Sequence, residues 1–173
     1  MHRRPLFPPL LLVAALLALC GCDMKREHVL TGRTMGTTYT VTVVTGPFGS
    51  VSGLQPAIDR RLDDINRAIS PYRPESEISR FNRFREVGVE FPVSDDFLRV
   101  MRKAARLYAL SGGAWDGTVG PLVDLWGFGR GGNPGRVPSP GEIAALLPDV
   151  GFDRIEIRAG ALVKRRASPI VSM

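Results

Sequence analysis

Residues 37–70, TTYTVTVVTGPFGSVSGLQPAIDRRLDDINRAIS, change hydrophobic period in mid-course, and that change decides the fold class. From Thr37 to Val44 the period is two: Tyr39, Val41 and Val43 share one face while Thr38, Thr40 and Thr42 share the other, the pattern of a half-buried strand. Thr45-Gly-Pro-Phe-Gly-Ser turns the chain. From about Ser52 to Ser70 the period becomes helical. Leu54, Ile58, Leu62, Ile65 and Ile69 recur at steps of four and three, and Arg60, Arg61, Asp63, Asp64 and Arg67 fall mostly on the opposite, solvated side. Pro71 ends the helix.

Outward from this pair the same alternation continues. Ser94 caps a second helix that runs to about Leu110, with Asp95 and Asp96 in its first turn and Phe97, Val100, Met101, Ala104, Leu107 and Tyr108 as its stripe. Gly112-Gly113 stops it. Ser139-Pro140 opens a short third helix ending near Leu147. Phe152 to Arg158 alternates as a strand, Ala159-Gly160 turns it, and Ala161 to Lys164 begins the return strand of a hairpin. Strands and helices mingle without a βαβ period or an internal repeat, so the expected class is α+β, a mixed or antiparallel sheet with packed helices. At 173 residues the chain has room for one domain.

The net charge of +6 invites a nucleic-acid partner, but the charge sits at the ends. Arg3 and Arg4 lie in the first 21 residues; Arg154, Arg158, Lys164, Arg165 and Arg166, against Glu156 alone, lie in the last twenty. The body between is neutral and has no basic stripe, which argues against nucleic acid. Leu10 to Leu19 (LLLVAALLAL) behind a basic tip is half the length needed to span a bilayer and reads as a secretory leader over residues 1–21. Leu19-Cys20-Gly21-Cys22 places a small residue before Cys22 and resembles a bacterial lipobox. That resemblance implies acylation of Cys22, with a Cys20–Cys22 disulfide or two spare thiols as the alternative. Asp23 resembles the signal that retains lipoproteins at the inner membrane, here on its periplasmic side. Residues 22–30 then read as a lipid-anchored tether and 31–173 as the domain. The histidines are His2, in the leader, and His28, which reads as a solvent-exposed tether residue.

Three loops carry more than a connector needs. They are Thr34 to Tyr39, Ser70 to Asn82 (SPYRPESEISRFN), and Ser111 to Gly129 (SGGAWDGTVGPLVDLWGFG). Glycines let a ligand approach the backbone, tryptophans offer stacking planes, and a carboxylate can accept from a ring N–H or a hydroxyl. The composition suits a flat ligand with a polar rim. No Gly-Lys-Ser/Thr and no GxGxxG following a strand is present. Each residue also has a plainer reading: Tyr72 as a packed loop aromatic, Asp116 as a turn cap before Pro121, Met35 as core.

At these loops the sequence resembles the FAD:protein FMN transferases of the ApbE family, in MGTTYTV, SPYRPESEISRFN and SGGAWDGTVGPLVDLWGFG, over about residues 31–165. The resemblance implies an enzyme that binds FAD and Mg²⁺, cleaves the pyrophosphate and attaches FMN to a threonine of a target, such as a flavoprotein subunit of a membrane redox pump. It carries FAD contacts onto Met35, Tyr72 and the segment Ala114, Trp115 and Asp116. Trp115 stands where phenylalanine is common and Gly117 where proline is frequent.

Members of that family continue beyond a hairpin like FDRIEIRAGALVKRR into an Asp-Leu-x-x-Ile-Ala-Lys-Gly segment and a second half that supplies further FAD contacts, the Mg²⁺ ligands and a histidine. None has a counterpart here. The expectation is therefore an incomplete ApbE-like domain, truncated and inactive alone, with a sheet edge exposed at the hairpin. The alternative is a lipid-anchored flavin-binding protein without catalysis.

Overall fold

The computed structural model describes residues 24–129, 135–167 and 171–172. The leader over 1–21, the acylation of Cys22 and the retention signal at Asp23 lie outside the described residues. The chain divides into two compact units, with the boundary after Ile58.

The first unit is built on a hairpin. Strand β1 (Arg26–Thr34) pairs antiparallel with β2 (Thr37–Thr45) over nine residues each. Both strands alternate exposed and half-buried positions, as the period-two pattern requires. Strand β1 starts at Arg26, so Arg26 to Leu30 of the segment read as a tether are in fact paired. His28 is half-buried and its Nε2 lies 3.0 Å from the Thr45 hydroxyl, which corrects its reading as a solvent-exposed side chain.

Opposite each other in this ladder are Gly32 and Tyr39. The tyrosine ring lies over the glycine, so a Cβ at Gly32 would stand 2.5 Å from Tyr39 Cε1. The ring is also held from its far end, where Gln55 Nε2 donates to its hydroxyl at 2.6 Å. Gly32→Ala is expected to destabilise the hairpin by about 1–3 kcal/mol, the usual cost of overpacking. Exchange of the β1 and β2 amides, measured against wild type, reads this out.

Helix α1 (Leu54–Ile69) crosses the unit boundary. Its sequence stripe is half-buried throughout, and its buried residues are Asn66 and Ala68. The second unit holds the core: Ile78 and Phe81 from α2 (Glu77–Arg83), Phe97, Leu98, Met101 and Ala104 from α3 (Asp95–Leu110), and Ile155 and Leu162 from a small sheet. That sheet is antiparallel, in the order β3 (Glu90–Pro92), β5 (Ala161–Lys164), β4 (Ile155–Ile157). Ser94 caps α3 by accepting from Phe97 N at 3.3 Å. Arg61 of α1 forks onto Asp96 in the same turn and holds its carboxyl below the usual range.

Two helices and one strand depart from the sequence reading. Helix α2 lies within the second loop and α4 (Gly120–Leu125) within the third. Strand β3 lies in the stretch between α2 and α3. Phe152–Arg154 forms a 3₁₀ turn ahead of β4, because Phe152 N donates to Asp116 and not to a neighbouring strand. The return strand β5 is central, flanked on one side by β3. The sheet edges therefore belong to β3 and β4. Helix α5 (Pro140–Leu146) matches its expected cap and shows the full capping box between Ser139 and Glu142.

Candidate functional site

The first of the three loops is the two-residue turn between β1 and β2. Met35 and Gly36 both take positive φ, 51° and 75°, as a type I′ hairpin turn requires. Glycine does this freely, whereas methionine there costs on the order of 1 kcal/mol. Met35 is 56% exposed at the tip, so the core alternative for it is not what the fold shows. It belongs to the first unit.

The second loop is folded onto α2 by one serine. Ser76 is fully buried; its hydroxyl lies 2.6 Å from the Ser70 carbonyl and 2.8 Å from that of Arg73, and it accepts from Ser79 N. Arg73 in turn donates to Asp63 at 2.7 Å and holds that carboxyl below the usual range. Pinned at both ends in this way, the loop presents Tyr72 outward, 79% exposed. Tyr72, Asn82 and Arg83 line a cleft of about 460 Å³, together with Asp124 of α4, Phe128 just beyond that helix, and Val171.

The third loop is tied by a carboxylate. Asp116 Oδ1 accepts from Thr118 N at 2.7 Å and from the Thr118 hydroxyl at 2.6 Å; Oδ2 accepts from Phe152 N at 3.1 Å. Thr118, fully buried, also accepts from Gly151 N at 2.7 Å. The turn-capping alternative for Asp116 is thus present, extended across to the 3₁₀ turn before β4. Just ahead, Ser111 Oγ accepts from Trp115 N at 2.9 Å and sets the backbone that carries the indole. Ala114, Trp115 and Asp116 line a second cleft of about 570 Å³, with Val100, Lys103 and Leu107 of α3.

Ser172 lines both clefts. Its N–H donates to Gly117 O at 2.8 Å, and both the N–H and the carbonyl of Val171 bond the Asn82 side chain at 2.9 Å. This short segment separates the clefts. The structure therefore brings Ala114, Trp115 and Asp116 together and places Tyr72 in the neighbouring cleft. Phe128, Asn82, Arg83 and Val171 were not singled out in the sequence. Phe128 carried a readable signal, an aromatic between two glycines, whereas Val171 carried none.

Chemically, one cleft offers two exposed aromatic rings with a guanidinium between polar groups, and the other a half-exposed indole on an apolar wall. These are surfaces for flat rings and for an anionic linker. Among the described residues no group of three His, Cys, Asp or Glu side chains could hold a metal ion. Asp116, in the third loop, already accepts three hydrogen bonds. The described donor set does not fit the Mg²⁺ that the resemblance implies. No described helix is long and apolar enough to cross a membrane.

Comparison with known proteins gives a consistent set of relatives. The family model described as the ApbE family matches residues 35–170. The FAD:protein FMN transferase of Vibrio cholerae is 42% identical over 157 residues, 90% of this chain and 47% of that protein. The one of Haemophilus influenzae is 36% identical, over 89% of this chain and 45% of that protein. Among solved structures, the flavin transferase ApbE from Vibrio cholerae superposes with a TM-score of 0.78 at 39% identity, covering 86% of this chain and 48% of that one. The apo flavinyl transferase ApbE of Pseudomonas stutzeri gives 0.76 at 33% identity, over 85% of this chain and 49% of that one. The chain spans about half the length of the relatives it matches.

Proposed function

Since the chain belongs to the ApbE family, we propose that it works in flavin transfer, with FAD as the substrate its two clefts receive. One observation carries this reading: aromatic surfaces lie in two clefts that share Ser172 in their linings. FAD has two flat ring systems joined by a pyrophosphate. One ring system stacks against Tyr72 and Phe128, the other against Trp115, and the Arg83 guanidinium meets the charge between them. Ala114 and Asp116 border the second ring.

The transfer itself is the finer part of the proposal. FMN passes from FAD to a threonine hydroxyl of a target protein, a flavoprotein subunit of a membrane redox pump: the new P–O bond replaces the pyrophosphate P–O bond, AMP leaves and the hydroxyl proton is released. The Mg²⁺ that the resemblance implies has no donor set among the described residues. Acylation at Cys22 holds the protein on the periplasmic side of the inner membrane. The alternative is a lipid-anchored protein that binds flavin without transferring it, a role the same two clefts would serve.

Titration of the full chain with FAD, followed by tryptophan quenching, tests binding. Saturation is expected, and Tyr72→Ala is expected to weaken it roughly two- to tenfold, the worth of one aromatic contact. Unchanged fluorescence up to about 1 mM FAD, the weak end of ordinary substrate affinities, overturns the flavin reading. Covalent FMN on a threonine peptide then separates transfer from binding alone.

A further inference from the structure

Strand β5 is the middle strand of its sheet, so its alternate side chains go to opposite faces. Val163 stands across from Glu90 on β3 and Glu156 on β4. That is the charged face. Arg158 holds both carboxylates at 2.8 Å, and Arg165 reaches Glu156 at 3.7 Å. Lys164 takes the other face, across from Ile155, and is fully buried. Its Nζ donates to Phe84 O at 2.8 Å, lies 3.4 Å from Asn82 O, and sits 4.8 Å from the centre of the Phe81 ring.

No carboxylate among the described residues pairs with this ammonium. On α2, Glu77 accepts from Ser94 N, Arg80 lies over the Phe91 ring and Arg83 donates to Pro74 O. Arg85, in the connection to β3, repels the lysine. Arg154, just before β4, is basic and brings no counter-charge. What the ammonium meets is the C-terminal end of α2, where carbonyls lack helical partners and a cation is favoured. Asn82 belongs to that turn, lines the first cleft, and bonds Val171 through both ends of its amide.

We propose that Lys164 is a positioning residue for the cleft: its ammonium fastens the last turn of α2, that turn holds Asn82, and Asn82 holds the Val171–Ser172 wall. Losing the proton loosens the wall. A neutral amine still donates, but a charge-assisted bond is about twice as strong, and the attraction to the Phe81 face goes with the charge. Burial, reinforced by Arg85, pulls Lys164 down to about 8, so the change falls in a mildly alkaline range. The consequence for flavin rests on the function proposed above; the fastening of α2 does not.

Hydrogen exchange of the full chain, corrected for intrinsic rates, reads the fastening directly. Protection of the Phe84 amide, which donates to Arg80 O, is compared with that of Leu98 in α3. Between about pH 6.5 and about pH 9.5 the ratio is expected to fall roughly fivefold in wild type, and in Lys164→Met to be low and flat. FAD affinity is expected to fall in parallel in wild type only. A constant ratio in wild type overturns the proposal without recourse to any variant. A falling ratio with unchanged FAD affinity overturns the link to the cleft. Absence of FAD binding at every pH overturns the flavin reading instead, and the exchange ratio still decides the role of Lys164.

Discussion

Phe81→Ala is expected to remove about 3–5 kcal/mol of stability from the second unit, among the largest effects any single truncation should have here. The ring is fully buried and meets two others edge-on, Phe91 at 5.5 Å and Phe97 at 6.2 Å between centroids. These contacts join three elements, α2, β3 and α3, whose own lengths do not make the first two self-sustaining. A seven-residue helix and a three-residue strand lie below the length at which either holds in water, so packing supplies their stability. Truncation leaves a void beneath both and takes away the face on which the Lys164 ammonium rests. Urea unfolding should show a lower midpoint with an unchanged slope, the mark of lost stability rather than an altered unfolded state. Phe81→Leu, which refills most of the volume, should recover more than half of the loss. A deficit below about 1 kcal/mol in the alanine variant would mean that α2 is not seated on this core.

The same dependence on packing explains what could be read from the sequence. Helices α1 and α3 run sixteen residues each, long enough for several turns of apolar period, and α3 and α5 begin at serine caps. Strand β2 alternates over nine residues. Such signals are local. Helix α2, α4 and β3 are too short to repeat an apolar period over several turns, and prolines and glycines around the first two speak for loops. Their order comes from tertiary bonds: Ser76 onto Ser70 and Arg73, Phe81 onto Phe91, and the ladder from β3 to β5. The candidate site divides in the same way. Tyr72 and Trp115 stand out by residue type in unusual loops. That they belong to separate clefts depends on Val171, bonded to Asn82 across 89 residues, a pairing that no window on the sequence contains. Lys164 looked like part of a basic run and is instead the one member of that run turned into the core.

Asp116→Ala is expected to cost about 3–5 kcal/mol, because it removes at once the two oxygens that accept three hydrogen bonds from groups that have no access to water. Thr118 is fully buried and Phe152 nearly so, and their N–H groups would be left without partners. The Thr118 hydroxyl would lose its acceptor while still receiving Gly151 N, so both segments that meet at this carboxylate should loosen together. Asp116→Asn divides the effect. Its amide oxygen can serve Thr118, but the NH₂ would then face the Phe152 N–H, donor against donor, for an intermediate loss of about 1–3 kcal/mol. Thermal and urea unfolding of the two variants should therefore rank wild type, asparagine, alanine. The ranking also bears on flavin. An ionised carboxylate has about four lone-pair sites and three are taken, so Asp116 can accept one further bond, from a ring N–H or a hydroxyl, without leaving its structural partners. If asparagine were as stable as wild type yet bound FAD tenfold more weakly, the ligand would be the reason for the carboxylate. If stability and affinity fall together, as the three bonds lead us to expect, Asp116 serves the site by holding Trp115 where a ring can meet it.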